Sequence, residues 1–146
     1  MAIIDSRRLN LVLPYLYPNF KNDTEDDGDY LLVNCSDGKG TQLIWKNTEI
    51  TKPTDQELAD AKEDAMNSHW WKVLRIRRDK LLKKSDWSQG TDVPDALKAS
   101  YVTYRNDLRN LPSTVSKPNF DTLNGQTIDE WIAHINTLMP SNPEGE

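Results

Sequence analysis

The sequence predicts an α+β chain: a small N-terminal β-hairpin region, then an antiparallel αα-hairpin, then a short C-terminal helix. Three observations predict it. Two β-prone runs, Tyr30–Cys35 and Thr41–Trp45, flank an Asp37-Gly38 pair, a strong hairpin signal. From a capping box at Thr54-Asp-Gln-Glu57 to about Ser85, nothing interrupts a helix. Leu97, Tyr101, Tyr104, Leu108 and Leu111 then recur at helical spacing on one face.

The elements follow in order. Residues 1–50 form the hairpin-bearing N-terminal region. Within it, Ala2–Ile4 and Leu9–Phe20 are apolar, but Pro14 and Pro18 interrupt the second patch. A proline removes a helical donor and clashes with the preceding turn, so a packed arm or edge structure is expected here. Residues 54–112 form the helical hairpin. In its first helix, Leu58, Ala61 and Ala65 share one face, and Trp70, Leu74 and Leu81 share another, roughly opposite. Either the helix bends near Asn67-Ser68-His69, or its halves pack on different things. Ser85–Thr91 reads as a loop. Asp92-Val-Pro-Asp95 then reads as an N-cap followed by a first-turn proline, and Pro112 as the end of the second helix. Residues 113–139 hold a linker, then a helix opened by a second capping box, Thr127-Ile-Asp-Glu130, and stopped by Pro140. The tail, 140–146, has no apolar anchor and reads as disordered.

Of 146 residues, 36% are hydrophobic, below the usual globular share, so the core is small and a partner surface is expected to supply part of the burial. The net charge is −5 but uneven. Residues 1–50 carry five Lys/Arg against eight Asp/Glu, residues 69–110 ten against five, and residues 111–146 one against five. A basic middle between acidic ends meets an acidic partner or is held by the ends. No stretch is long and apolar enough for a bilayer, and no signal-peptide core follows the N-terminus, so no membrane association is expected. The single cysteine, Cys35, cannot form an intramolecular disulfide; it reads as a small apolar filler in a reducing compartment.

No residue set points to catalysis. His69 and His134 are far apart, and neither has a second ligand at metal spacing. Asp23, Glu25, Asp27 and Asp29 line an acidic loop but lack the central glycine and terminal glutamate of a calcium hand. Gly38-Lys39-Gly40 lacks the ending of a phosphate-binding loop. Hence no enzyme, metal or cofactor is expected.

The run Lys72, Arg75, Arg77, Arg78, Lys80, Lys83, Lys84 places seven bases in thirteen residues beside Trp70 and Trp71. It could track a phosphate backbone, but the bases spread over a broad face as on a solvated helix, which disfavours nucleic acid. Arg78 falls inside the apolar arc and needs an acceptor; Asp79, Asp86 and Asp107 are the candidates, for a structural lock or a socket for a partner's acid.

Several of these residues also form a pattern: Arg78-Asp79, Ser85-Asp86-Trp87, Tyr101, Tyr104-Arg105, Leu108-Arg109 and Leu111-Pro112. Over residues 75–112 the chain resembles the bacteriophage tail assembly chaperone family, also seen in tail-fibre assembly proteins. It departs from that pattern at Ser88, where threonine is usual, at Tyr101, where tryptophan is usual, and in lacking the closing Trp-Pro-x-x-Pro.

The resemblance implies a non-enzymatic phage protein that holds a tail, tail-fibre or baseplate protein during assembly in the host cytoplasm. A structural part of the virion is the alternative, and a regulator binding a host protein or nucleic acid a third; a homo-oligomer is compatible with each. The residues expected to bind the partner or lock the hairpin are Trp70, Trp71, Arg78, Asp79, Asp86, Trp87, Tyr101, Tyr104, Arg105 and Arg109.

Overall fold

Thr54 and Glu57 close the first capping box in both directions: Glu57 N–H donates to Thr54 Oγ1 at 3.1 Å, and Thr54 N–H to the Glu57 carboxylate at 2.9 Å. From there one helix runs unbroken, α2 (Asp55–Lys84). The computed structural model describes residues 7–22, 28–34 and 41–145. Before α2 it contains α1 (Leu9–Leu16), β1 (Tyr30–Asn34) and β2 (Thr41–Trp45). After it come a 3-10 turn (Asp86–Gln89), α3 (Asp95–Thr114), α4 (Phe120–Asn124) and α5 (Ile128–Leu138). The fold is α+β. The expectations for Ala2–Ile4, for Asp23, Glu25 and Asp27, and for Cys35 and the turn after it lie outside the described residues.

The chain forms two compact units, divided within α2 between His69 and Trp70; Phe120–Gly125 belongs to the first. This answers the two-faced pattern of α2. The helix does not break; its first half serves one core and its second half another.

In the first unit β1 and β2 pair antiparallel, with Tyr30 opposite Trp45 and Leu32 opposite Leu43. Tyr30, Leu32, Leu43 and Trp45 turn to a core built on Leu9, Val12, Leu13, Leu58 and Ala65. Tyr17 stacks on Phe20 at 4.9 Å, and both rings meet Trp45.

The expectation that Pro14 forbids a helix is corrected: α1 contains it. An eight-residue helix has few ladder bonds, and Pro14 removes only the one that would reach the exposed Asn10. Leu9, Val12 and Leu13 are fully buried by the helical turn, which outweighs that loss.

α4 lies where a plain linker is expected. Its Leu123 is buried, and Arg8 Nη2 donates to the carbonyls of Leu123 at 3.0 Å and Asn124 at 3.2 Å. A cation thus satisfies the last carbonyls of a helix whose C-terminus carries partial negative charge.

In the second unit Tyr101, Tyr104 and Leu108 of α3 pack with Leu81 and Leu82 of α2, with Leu97, and with Met139 beyond α5. Leu111, Trp70, Leu74, Trp131 and Ile135 are also buried. Three boundaries differ from expectation. α3 starts at Asp95, and Pro94 rather than Asp92 holds the N-cap position. Pro112 lies inside the last turns of α3, which ends at Thr114, because the lost N–H faces only one carbonyl near the helix end. The loop after Ser85 is largely a 3-10 turn.

Candidate functional site

The 3-10 turn places its side chains because Ser85 and Ser88 tie it to the end of α2. Ser85 Oγ donates to the Leu82 carbonyl at 2.9 Å, and Ser88 Oγ to the Ser85 carbonyl at 2.6 Å. Ser88 is fully buried, so the smaller hydroxyl residue sits in a packed position.

Arg105, one turn beyond Tyr101 on α3, locks this turn. Its Nη1 donates to the Leu82 carbonyl and to Ser85 Oγ, both at 2.7 Å, and its Nη2 pairs with Asp86 at 2.9 Å. Arg105 is 9% exposed, whereas the Asp86 side chain is 64% exposed. The two fixed acceptors inside therefore matter more than the solvent-screened ion pair.

Arg78 has its acceptor among the three candidates, Asp79, while the bonds that hold the turn come from Arg105. Arg78 pairs with its neighbour Asp79 at 2.9 Å, a carboxylate that is itself largely exposed. On a helix, adjacent residues diverge, so this pair cannot tie α2 to α3. Asp107 is not its partner.

The locked turn presents Trp87, 51% exposed, edge-on to Tyr101 at 5.1 Å, and Tyr101 in turn meets Tyr104 edge-on at 5.9 Å. These rings line a cavity of about 590 Å³, together with Arg77 and Lys84 of α2. The segment after α5 forms another wall, through Met139, Pro140, Asn142 and Glu144. Asn142 Oδ1 accepts a hydrogen bond from Tyr101 Oη at 3.2 Å and also receives the Glu144 N–H at 2.7 Å. The tail is therefore set against α3 as far as the described residues reach. Burial pushes the Tyr104 phenol pKa up from its ordinary value, opposed by the positive charge of Arg77. Arg77 Nε is buried with no acceptor.

The other expected residues lie apart from this cavity lining. Trp70 is buried and meets Trp71 edge-on at 5.1 Å, with the Arg75 guanidinium 5.8 Å from the Trp71 ring. Arg109 is exposed and donates to Asn106 Oδ1 at 3.2 Å. Of the ten expected residues, the structure gathers Asp86, Trp87, Tyr101, Tyr104 and Arg105.

Arg77 and Asn142 were not expected. The heptad offset between Arg77 and Lys84, two turns apart on one face, could have separated Arg77 from the rest of the basic run. Nothing in the tail marks Asn142. Among the described residues no group of acids, histidines or cysteines could hold a metal ion, and no helix is long and apolar enough to cross a membrane.

A turn locked by arginine, opening α3 with paired tyrosines, is what the sequence pattern encodes, and comparison with known proteins falls on the same stretch. Residues 71–135 match the phage tail assembly chaperone protein family. The match begins just inside the second unit and ends within α5, so it takes in the locked turn, all of α3 and most of the second core. No curated protein and no solved structure matches the chain. The tail assembly chaperone match supports a role in phage tail assembly.

Proposed function

We propose that the protein binds an unassembled tail or tail-fibre structural protein during virion assembly, as a non-enzymatic tail assembly chaperone acting in the host cytoplasm. The observation that carries this reading is the coincidence of the family match with a locked, partly open aromatic surface. Arg105 is spent on rigidifying the Asp86–Gln89 turn, and the turn holds Trp87 half in solvent against Tyr101. A large ring held in place and left exposed is the residue type that anchors interfaces, because little side-chain freedom remains to be lost on binding.

Two measurements test it. The tagged full-length chain, co-expressed with the tail and fibre proteins of the same phage, should retain one of them through purification. The chain should be missing from purified virions when these are analysed by quantitative mass spectrometry. Presence at fixed stoichiometry would instead make it a virion component, and retention of no tail protein would remove the assembly reading.

A further inference from the structure

We propose that the cavity lined by Trp87, Tyr101 and Tyr104 takes an acidic, proline-bearing peptide segment of a protein partner, in competition with the chain's own C-terminal segment. This deepens the tail-assembly reading and rests on it for the partner being a protein.

Four observations converge. The cavity, about 590 Å³, has an aromatic lining on one side and two cations, Arg77 and Lys84, on the same helix. Arg77 Nε is buried and lacks an acceptor, a state that is unfavourable until an acceptor arrives. A carboxylate entering the cavity supplies one, with the added strength of a charge-assisted bond. A carboxylate-bearing residue of the chain itself, Glu144, already lines the cavity, in a segment with two prolines and no helix or strand. That segment is tied to α3 by a neutral hydrogen bond, Tyr101 Oη to Asn142 Oδ1, which an incoming chain can exchange for its own. The own segment therefore shows the occupant's chemistry: proline-bearing, acidic and turned at Asn142–Gly145, where Gly145 N–H donates to the Asn142 carbonyl at 3.0 Å.

A nucleic acid fits less well. A strand needs cations along a track, whereas Lys72, Lys80 and Lys83 are exposed and do not line the cavity.

Fluorescence anisotropy of the full-length chain tests the proposal. The probe is a fluorescein-labelled peptide with the sequence of residues 139–146, and a ten-nucleotide thymidine oligomer is the rival. The double variant Asn142→Ala/Glu144→Lys releases the chain's own segment and should bind the peptide several-fold more tightly than the native chain. Arg77→Glu in that background should weaken binding roughly tenfold or more, as expected for a lost charge-assisted bond. If Arg77→Glu lowers the melting temperature, Lys84→Glu, on an exposed residue, carries the same comparison.

No saturable peptide binding by the released variant overturns the proposal, as does binding indifferent to both charge reversals. Tighter binding of the oligomer, displaced by salt and not by peptide, overturns it in favour of nucleic acid. A tail protein still retained by a chain that ignores the peptide overturns this inference and leaves the assembly reading standing. Peptide binding without any retained tail protein does the reverse.

Discussion

Each unit buries one arginine against main-chain carbonyls, and the two do it on different scales of sequence. In the first unit Arg8, in left-handed backbone at φ 50° ahead of α1, reaches the carbonyls of Leu123 and Asn124, more than a hundred positions away. In the second, Arg105 reaches Leu82, Ser85 and Asp86, all within 23 positions, and two of these acceptors are side chains. A lock made of side chains at short range leaves a motif, because each partner must be a particular residue at a particular offset. A lock on distant carbonyls leaves none, since any residue supplies a carbonyl. The contrast explains why the second unit carries a family pattern while the first reads only as apolar runs and turns.

The largest effects should come from the two aliphatic cores, and they break the comparison if they differ. Leu108→Ala and Leu13→Ala each remove a fully buried side chain and should each destabilise by about 2–5 kcal/mol in urea denaturation. Val102 is 42% exposed on the opposite side of α3, so Val102→Ala should stay within about 0.5 kcal/mol. A neutral Leu108→Ala with a damaging Val102→Ala would invert the inner face of α3.

The arginines come next. Arg105→Ala should cost about 2–3 kcal/mol, since it removes the charge-assisted donors to Ser85 Oγ and the Leu82 carbonyl, leaving those two bonded only to each other and to the Ser85 N–H. Arg105→Lys should recover little, because an ammonium cannot span the divergent acceptors that the planar fork meets together. Arg8→Lys should recover more, since a single nitrogen, Nη2, serves both carbonyls there. Asp86→Asn should cost less than about 1 kcal/mol, given how exposed that carboxylate is. Equal responses of the two positions to lysine would show that the locks do not differ as their geometry says.

The same distinction separates what could be read in the sequence from what could not. Both capping boxes, the uninterrupted α2 and the buried stripe from Tyr101 to Leu111 follow from local chemistry, and each is present. The two faces of α2 leave two outcomes open in the sequence, a bend near Asn67-Ser68-His69 or halves packed on different things, and the second is the one found. α1 was hidden because a proline penalty is visible in sequence, whereas the burial that overrides it is tertiary. The 3-10 turn and α4 are too short for periodicity to show. At the site, Asp86, Trp87, Tyr101, Tyr104 and Arg105 could be found from the pattern. Asn142 could not, because its one bond to α3 spans 41 positions. Arg78 meets Asp79, one of its three candidate acceptors, but a helical wheel gives a direction and not which of the three comes within reach.

Smaller effects should separate the two capping boxes. Thr54 both accepts from Glu57 N–H and donates its own N–H to the Glu57 carboxylate. At the start of α5, Thr127 Oγ1 accepts from Glu130 N–H at 3.2 Å. Both Thr→Ala changes should destabilise by about 1 kcal/mol. Glu57→Ala should add a loss at α2 by removing the return bond, measured as earlier fraying of the helix in amide hydrogen exchange. Protection unchanged at the first turn of α2 would mean that the return bond contributes nothing.

The smallest effect is on alkaline stability, where one tyrosine from each unit can be compared. Tyr30 and Tyr104 both have phenol pKa values raised above the ordinary 10.0, first by burial. Their second influences oppose. Asp29 raises Tyr30 further, because an anion nearby disfavours a phenolate, while the Arg77 cation lowers Tyr104. A pKa raised in the folded state means that the fold prefers the neutral phenol. The stability this contributes is complete below the unfolded value of 10.0 and is lost as pH rises through the folded values. Denaturation midpoints should therefore hold steady up to about pH 10 and decline above it. Spectrophotometric titration of single-tyrosine variants should show Arg77→Ala moving Tyr104 upward and Asp29→Asn moving Tyr30 downward. Salt should reduce the charge contributions while leaving burial untouched. If Arg77→Ala left Tyr104 unmoved, the guanidinium would not face the aromatic cavity, and the peptide site would lose its cation.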